Sequence, residues 1–166
     1  ASGDAARKTH VAAYNCSYIA PSTPQDFAEI MYVLMCGTGA GFSVEKASVD
    51  KLPKIAVQSG KTLKTYIVPD SKEGWADAFK HGLETWFGGD DVKFDYSMLR
   101  PAGARLATMG GHSSGPQPLI NLMEFSREKI LANQGKKLST LDVHDICCKI
   151  GEIVVAGGVR RSAMIS

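Results

Sequence analysis

Apolar positions recur along this chain in two rhythms, and the alternation between them sketches the fold. Between Pro24 and Met35, Phe27, Ile30, Met31, Leu34 and Met35 return at spacings of three and four, which predicts a helix with one buried stripe. Thr23 is placed to cap it, Pro24 suits the first helical position, and Asp26 and Glu29 carry negative charge near the positive end of the dipole. A second helix is predicted over residues 71–87, where Trp75, Phe79, Leu83, Trp86 and Phe87 share a stripe in spite of Gly74 and Gly82. Gly88-Gly89-Asp90-Asp91 stops it. Pro116 opens a third, with Leu119, Ile120, Leu122, Met123, Ile130 and Leu131 as its apolar face and Gln134-Gly135 as its end. Ser139-x-x-Asp142 resembles a capping box with Asp in place of Glu. It starts a last helix whose stripe is Val143, Ile146, Cys147, Ile150, Ile153 and Val154, before Gly157-Gly158.

Between the helices the pattern shortens. Residues 11–19 (VAAYNCSYI) are β-branched and aromatic and end at Pro-Ser-Thr-Pro, which predicts a buried strand carrying Cys16. Gly37, Gly39 and Gly41 read as a helix-to-strand turn, and residues 42–45 (FSVE) alternate as a half-buried strand does. Residues 92–99 (VKFDYSML) alternate likewise, and a final strand after Gly157-Gly158 carries Arg160. Residues 51–65, with several lysines and a Ser59-Gly60 turn signal, read as an exposed excursion containing short strands. The order is that of an α/β protein forming one domain over residues 1–166, with functional groups gathered on loops at strand ends.

Composition narrows the function classes. With 166 residues and 44% hydrophobic side chains the chain is expected to bury about two thirds of its surface in a core. A net charge of +2 is too small for a surface built against nucleic acid or anionic lipid, so any anion site is local. No apolar run approaches the roughly 20 residues a membrane-spanning helix requires, and the sequence reads as cytoplasmic. Cys16, Cys36, Cys147 and Cys148 form no CxxC pair and no zinc-ligand spacing with the histidines. The absence of an initial Met and the strand-like RRSAMIS at the end suggest a fragment of a longer protein.

Three glycine-rich stretches are candidates for chemistry. Gly37-x-Gly39-x-Gly41 is not a dinucleotide fingerprint, because the helix precedes it, and it is either a helix cap or a close approach of backbone to a ligand. The loop ARLATMGGHSSGP (residues 104–116) places Gly110, Gly111, Ser113, Ser114 and Gly115 before a helix N-terminus, with Arg100 and Arg105 on the other side. Either a solvated hinge or a phosphate site fits that arrangement. Arg160 and Arg161 after Gly157-Gly158 offer two more guanidiniums, which match phosphate by bidentate geometry, although paired arginines are more often a solvated face. Cys16, mid-strand between Asn15 and Ser17, is by default a small buried hydrophobe. His112 is a loop histidine without an assigned role. There is no nucleophile elbow, HExxH or P-loop, so hydrolase and NTPase readings lack their chemistry.

Asn15-Cys16-Ser17-Tyr18, MYVLMCGTGAGFSVE (residues 31–45), VPDSKEGWADAF (68–79), RPAGARLATMGGHSSGPQPL (100–119) and DICCKIGEIVVAGGVRRSAMIS (145–166), in this order, resemble the vitamin B12-dependent (class II) ribonucleotide reductases. The resemblance implies a fold, the N-terminal half of a ten-stranded α/β barrel. It implies an activity, reduction of the 2′ carbon of a ribonucleotide by a thiyl radical generated with adenosylcobalamin, using two cysteines that become a disulfide. Cys16 would be the first of that pair. Asn15, Ser17, Gly37, Gly39 and Gly41 would lie against the ribonucleotide substrate. Arg100, Arg105, Gly110, Gly111, Ser113 and Ser114 would form the first specificity loop, which receives a deoxynucleoside triphosphate effector, and Arg160 and Arg161 would belong to the second.

The same resemblance assigns the radical-carrying cysteine, the second cysteine of the pair and most cobalamin contacts to sequence outside this chain, so the fragment alone is expected to be inactive. Ser22-Thr23 departs from the acidic residue that related reductases place near the effector. Half a barrel leaves strand edges unpaired, which favours a homodimer or pairing with the rest of the reductase. Two other readings compete: a non-catalytic nucleotide-binding regulatory module that keeps the loops without a role for Cys16, and an interaction domain docking a partner through the lysines of residues 51–64.

Overall fold

A computed structural model of the chain describes residues 16–105, 112–156 and 164–165. Its sheet has three parallel strands in the order β1-β2-β5: β1 (Cys16–Ile19), β2 (Gly39–Phe42) and β5 (Met164–Ile165). Helix α1 (Pro24–Met35) joins β1 to β2, completing a strand–helix–strand unit. Its start is fixed by Asp26, whose Oδ2 accepts from the backbone nitrogens of both Ser22 and Thr23 at 2.8 Å. Its end is fixed by Gly37, whose φ of 82° is a left-handed conformation that glycine adopts without strain. Phe27, Ile30, Met31 and Leu34, the predicted stripe, are all buried.

The predicted turn at residues 37–41 and strand at 42–45 shift. The strand starts at Gly39 and ends at Phe42, and residues 46–49 form a short helix α2 (Lys46–Val49) that the pattern did not announce. Position, not propensity, explains this. β2 is the central strand, hydrogen-bonded on both sides, and burying Ala40 and Phe42 on one face outweighs the weak strand preference of Gly39 and Gly41. The strand predicted over residues 11–19 is present from Cys16; its earlier part lies outside the described residues. So does Arg160, while the strand expected to carry it is Met164–Ile165.

A second parallel pair, β3 (Tyr66–Ile67) and β4 (Phe94–Asp95), flanks helix α3 (Lys72–Phe87) in another strand–helix–strand unit. The strand predicted over residues 92–99 shrinks to these two residues. The predicted excursion is largely exposed, but it is not loose. Leu52 and Ile55 are fully buried, and residues 56–68 run beside 87–95 through a succession of backbone bonds such as Ala56 N to Phe87 O, 2.9 Å, and Leu63 N to Asp91 O, 2.7 Å.

Asp91 ties this ribbon to helix α4 (Gln117–Ala132). Its carboxylate accepts from Arg127 (Nη2, 2.6 Å; Nε, 3.1 Å), from the Trp86 indole (3.2 Å) and from the backbone of Val92 (2.9 Å). The Arg127 hydrogen bonds hold its carboxyl below the usual carboxylate range, although partial burial opposes them. Helix α5 (Thr140–Ala156) starts at the predicted box, Ser139 Oγ accepting from Asp142 N (3.1 Å) and Asp142 Oδ2 from Ser139 N (3.1 Å). Lys129 crosses from α4 to Asp145 (2.7 Å) and Asp142 (3.4 Å) on α5. Helices α1, α3, α4 and α5 pack together around Phe27, Phe79, Leu83, Trp86, Leu122 and Ile146, all at most 1% exposed.

The two helix glycines that interrupt the α3 stripe have steric reasons. A Cβ on Gly82 would sit 2.8 Å from the Trp86 ring, and one on Gly74 would sit 2.5 Å from the Pro69 carbonyl oxygen. Backbone cannot yield as a side-chain tip can. Gly74→Ala is therefore expected to lower stability by about 1–3 kcal/mol despite the better helix propensity of alanine. Gly151→Ala, whose new methyl meets only the mobile end of Met164, should be near neutral. Urea midpoints of the two variants check the contrast.

Because the folded-state pKa of Asp91 is depressed, its contribution is complete above the unfolded value near about 4 and is lost as pH falls through the folded one. Asp91→Asn should be less stable than wild type at neutral pH, with the gap narrowing below about pH 4. Thermal melts across that range measure it.

Candidate functional site

Among the described residues, helices cover one face of the β1-β2-β5 sheet and none covers the other. Along β1 exposure alternates: Cys16 and Tyr18 are exposed, Ser17 and Ile19 half-buried. On β2, Ala40 and Phe42 are buried. Register carries the alternation across the sheet. Cys16 pairs with Gly39, Tyr18 with Gly41, and Gly41 with Ile165, so the bare face bears a thiol beside two residues without side chains and two large exposed groups, Tyr18 at 64% and Ile165 at 74%.

Cys16 is thus exposed, not the buried hydrophobe that a mid-strand cysteine is by default. Ser17 lies on the helix side with its hydroxyl oxygen buried and unpartnered among the described residues, so its side chain does not share the surface of Cys16. Gly37 is off the strand and needed by the α1 cap. Gly41 has no such requirement: a Cβ there would make ordinary contacts, 3.6 Å from the Tyr18 ring and 3.7 Å from Ile165. Packing within the chain does not call for glycine at 41.

The other cysteines are differently placed. Cys36 and Cys147 are buried, and burial pushes their thiols up, that of Cys147 to about 12. Cys148 is exposed but on α5, its sulfur 3.7 Å from the ring nitrogens of His144. Cys16 alone among them belongs to the sheet.

A second locus lies where β3 and β4 end. In parallel strand–helix–strand units ligands gather at the carboxyl edge, beside helix N-termini. Here that edge holds Asp70 and Ser71, which caps α3 by accepting from Gly74 N at 2.9 Å, and, after β4, Arg100. Arg100 Nε donates to Asp70 Oδ2 at 2.8 Å, both side chains being about one third exposed at 35% and 32%. Asp95 is turned inward on Ser97, whose backbone nitrogen reaches it at 2.9 Å and holds the carboxyl below its ordinary range.

After this edge residues 103–105 pair with 112–113: Gly103 N donates to Ser113 O and Ser113 N to Ala104 O, each at 2.7 Å, and Arg105 bridges His112 in antiparallel fashion. Gly115, at φ 75°, closes this pairing against Ala102, where a Cβ would come within 3.0 Å of backbone. Ser113 Oγ is engaged with Gly115 N at 3.0 Å, and Ser114 is half-buried. Ser22 and Thr23 both donate to Asp26, so the polar pair that departs from the acidic pattern serves the α1 cap. Asn15, Gly110, Gly111, Arg160 and Arg161 lie outside the described residues. Asp70 was not a sequence candidate. Thirty positions separate it from Arg100, and only the tertiary pairing of β3 with β4 brings them together.

A parallel sheet with a cysteine-bearing face that no described residue covers, and an Asp70–Arg100 pair at a second strand edge, define a mixed α/β segment. Residues 39–131 match the model of the B12-dependent ribonucleotide reductase insertion domain. The chain is 36% identical, over 92% of its length and 21% of the relative's, to an adenosylcobalamin-dependent ribonucleoside-triphosphate reductase of Euglena gracilis. It is 32% identical, over 84% of its length, to the reductase of the same name from Lactobacillus leichmannii. It also superposes on a crystal structure of a B12-dependent (class II) ribonucleotide reductase with a TM-score of 0.81 and 25% identity, over 98% of this chain and 30% of that one. The chain belongs to the B12-dependent ribonucleotide reductase family, and it spans about a fifth to a quarter of the curated relatives it matches.

Accessibility gives a direct check. Alkylation of the folded 166-residue chain by a thiol reagent should label Cys16 and Cys148 and spare Cys36 and Cys147, which react only on unfolding; peptide mapping reads the outcome.

Proposed function

We propose that this chain supplies one half of the ten-stranded α/β barrel of an adenosylcobalamin-dependent ribonucleotide reductase, together with its effector-binding loops. The observation that carries the proposal is the register of β1: it holds a thiol on the bare face of the sheet, beside Gly39, where a sugar can approach the backbone. In a closed barrel that face is the interior. Tyr18 and Ile165 are then covered by strands from the rest of the reductase, which is what two large exposed apolar side chains on one sheet face call for.

Cys16 acts here as one of two reductant thiols. Two thiols lose two electrons and two protons and join as a disulfide, the 2′ C–O bond of the ribonucleotide is replaced by C–H, and the oxygen leaves as water. The second thiol comes from the rest of the reductase, outside this chain. Gly39 and Gly41 give the substrate room against the strand, and the backbone of β2 fixes its distance from the sulfur. Adenosylcobalamin supplies radical initiation. Most of its contacts are assigned to the rest of the reductase.

The loop from Arg100 to Gly115, with Arg100 and Arg105 among its cations, receives the triphosphate of a deoxynucleoside effector, and Arg160 and Arg161 belong to the loop that relays effector identity. Pairing of exposed sheet edges between two copies accounts for a homodimer, and the whole works as a cytoplasmic enzyme on soluble nucleotides.

In the full-length protein Cys16→Ser should abolish deoxynucleotide formation while effector binding persists. Retained turnover would remove Cys16 from the reaction and favour a regulatory module. Gly41→Ala should leave the melting temperature unchanged yet raise KM for the ribonucleotide, since only a bound ligand requires the missing methyl. Arg100→Ala should weaken effector binding by about 2 kcal/mol, the loss of a charge-assisted contact, as measured by calorimetric titration.

A further inference from the structure

The contact between Asp70 and Arg100 is made by one nitrogen only. Nε donates to Oδ2 at 2.8 Å, and among the described residues the two terminal nitrogens of the guanidinium bind no carboxylate. A side-on pair of this kind leaves the planar fork open, and the fork is the part of arginine that matches phosphate oxygens bidentately.

The pair is worth little as a stabiliser, because both partners are about one third exposed. Its placement is more informative. Asp70 stands in the turn between β3 and α3, where Ser71 N donates to Pro69 O at 2.9 Å and Gly74 packs on Pro69, so its backbone is tied to the start of α3. Arg100, in contrast, follows a short strand and precedes the glycine-rich loop. A rigid carboxylate thus holds a long side chain that would otherwise sample many rotamers.

We infer that Asp70 is a positioning residue for the effector site: it binds Arg100 through Nε and presents the guanidinium fork to the terminal phosphates of a deoxynucleoside triphosphate at the carboxyl edge of the β3–β4 pair. The inference rests on the effector reading of Arg100 given above. It makes an unusual demand on sign. A carboxylate close to a phosphate repels it, so removing Asp70 would tighten binding if charge alone counted. Orientation predicts the reverse, because an arginine fixed in its binding geometry loses less entropy on contact.

The test is a double-mutant cycle in the full-length protein, with dATP, dCTP, dGTP and dTTP titrated separately as probes and effector-free reductase activity and melting temperature as controls. Asp70→Ala should weaken binding of the responsive nucleotide roughly three- to tenfold, leave basal activity and melting temperature unchanged, and have no further effect when Arg100 is already Ala. Asp70→Asn, which keeps an acceptor oxygen for Nε, should stay within about twofold of wild type.

Tighter binding in Asp70→Ala, an equal loss in the Asn and Ala variants, or an undiminished Asp70 effect in the Arg100→Ala background would overturn the positioning role while leaving Arg100 in the site. If Arg100→Ala itself leaves every affinity unchanged, the effector reading of that arginine fails, and the role of Asp70 fails with it.

Discussion

Among the described residues, helices pack on one side of the parallel β1-β2-β5 sheet and leave the other bare, and the chemistry of the chain depends on that asymmetry. Strand side chains alternate, so covering one face sorts every residue of β1 and β2 into two sets. Ala40 and Phe42 go to the core with Ile19; Cys16 and Tyr18 go outward, beside Gly39 and Gly41. A purely parallel sheet is normally covered on both faces. The bare face is therefore a surface awaiting a cover, and the family to which the chain belongs builds proteins several times longer than this segment.

How much of this was legible beforehand depended on the element. The four long helices were written in three-and-four spacing and in their caps, because an amphipathic stripe of four turns repeats the same signal many times. Asp142 makes the capping bond its position predicts, and Asp26, expected only to favour the helix dipole, caps as well. The strands were harder. β3 and β4 are two residues each, too short for alternation to register, and β2 is half glycine, so composition argued for a turn where central position imposed a strand. The excursion at 51–65 looked solvated because most of it is; the buried pair Leu52 and Ile55 is too sparse for any period to betray it.

The candidate site divides in the same manner. Cys16, Gly39 and Gly41 were named from sequence and meet on one face, and Arg100 and Arg105 stand in one loop. Ser17 shows the limit of reading neighbours in sequence as neighbours in space, since adjacent strand positions face opposite ways. Asp70 shows the converse, a partner of Arg100 that no spacing could supply. Gly74 and Gly82, which looked like defects in a helical stripe, are where Pro69 and Trp86 come too close for any side chain.

The link between α1 and β2 has one further implication. Gly37 reverses the chain in a left-handed turn, and only Thr38 separates it from the first strand residue. Adding or deleting one residue there would invert the parity of β2, sending Phe42 out onto the bare face and a glycine down into the core. Gly60, also left-handed, is held in the bonded ribbon between Ser59, whose nitrogen donates to Gly89 O, and Lys61, whose carbonyl accepts from Asp91 N. Chain length is accordingly fixed at both bends, and the sulfur of Cys16 keeps its glycine neighbour only while the first is counted correctly.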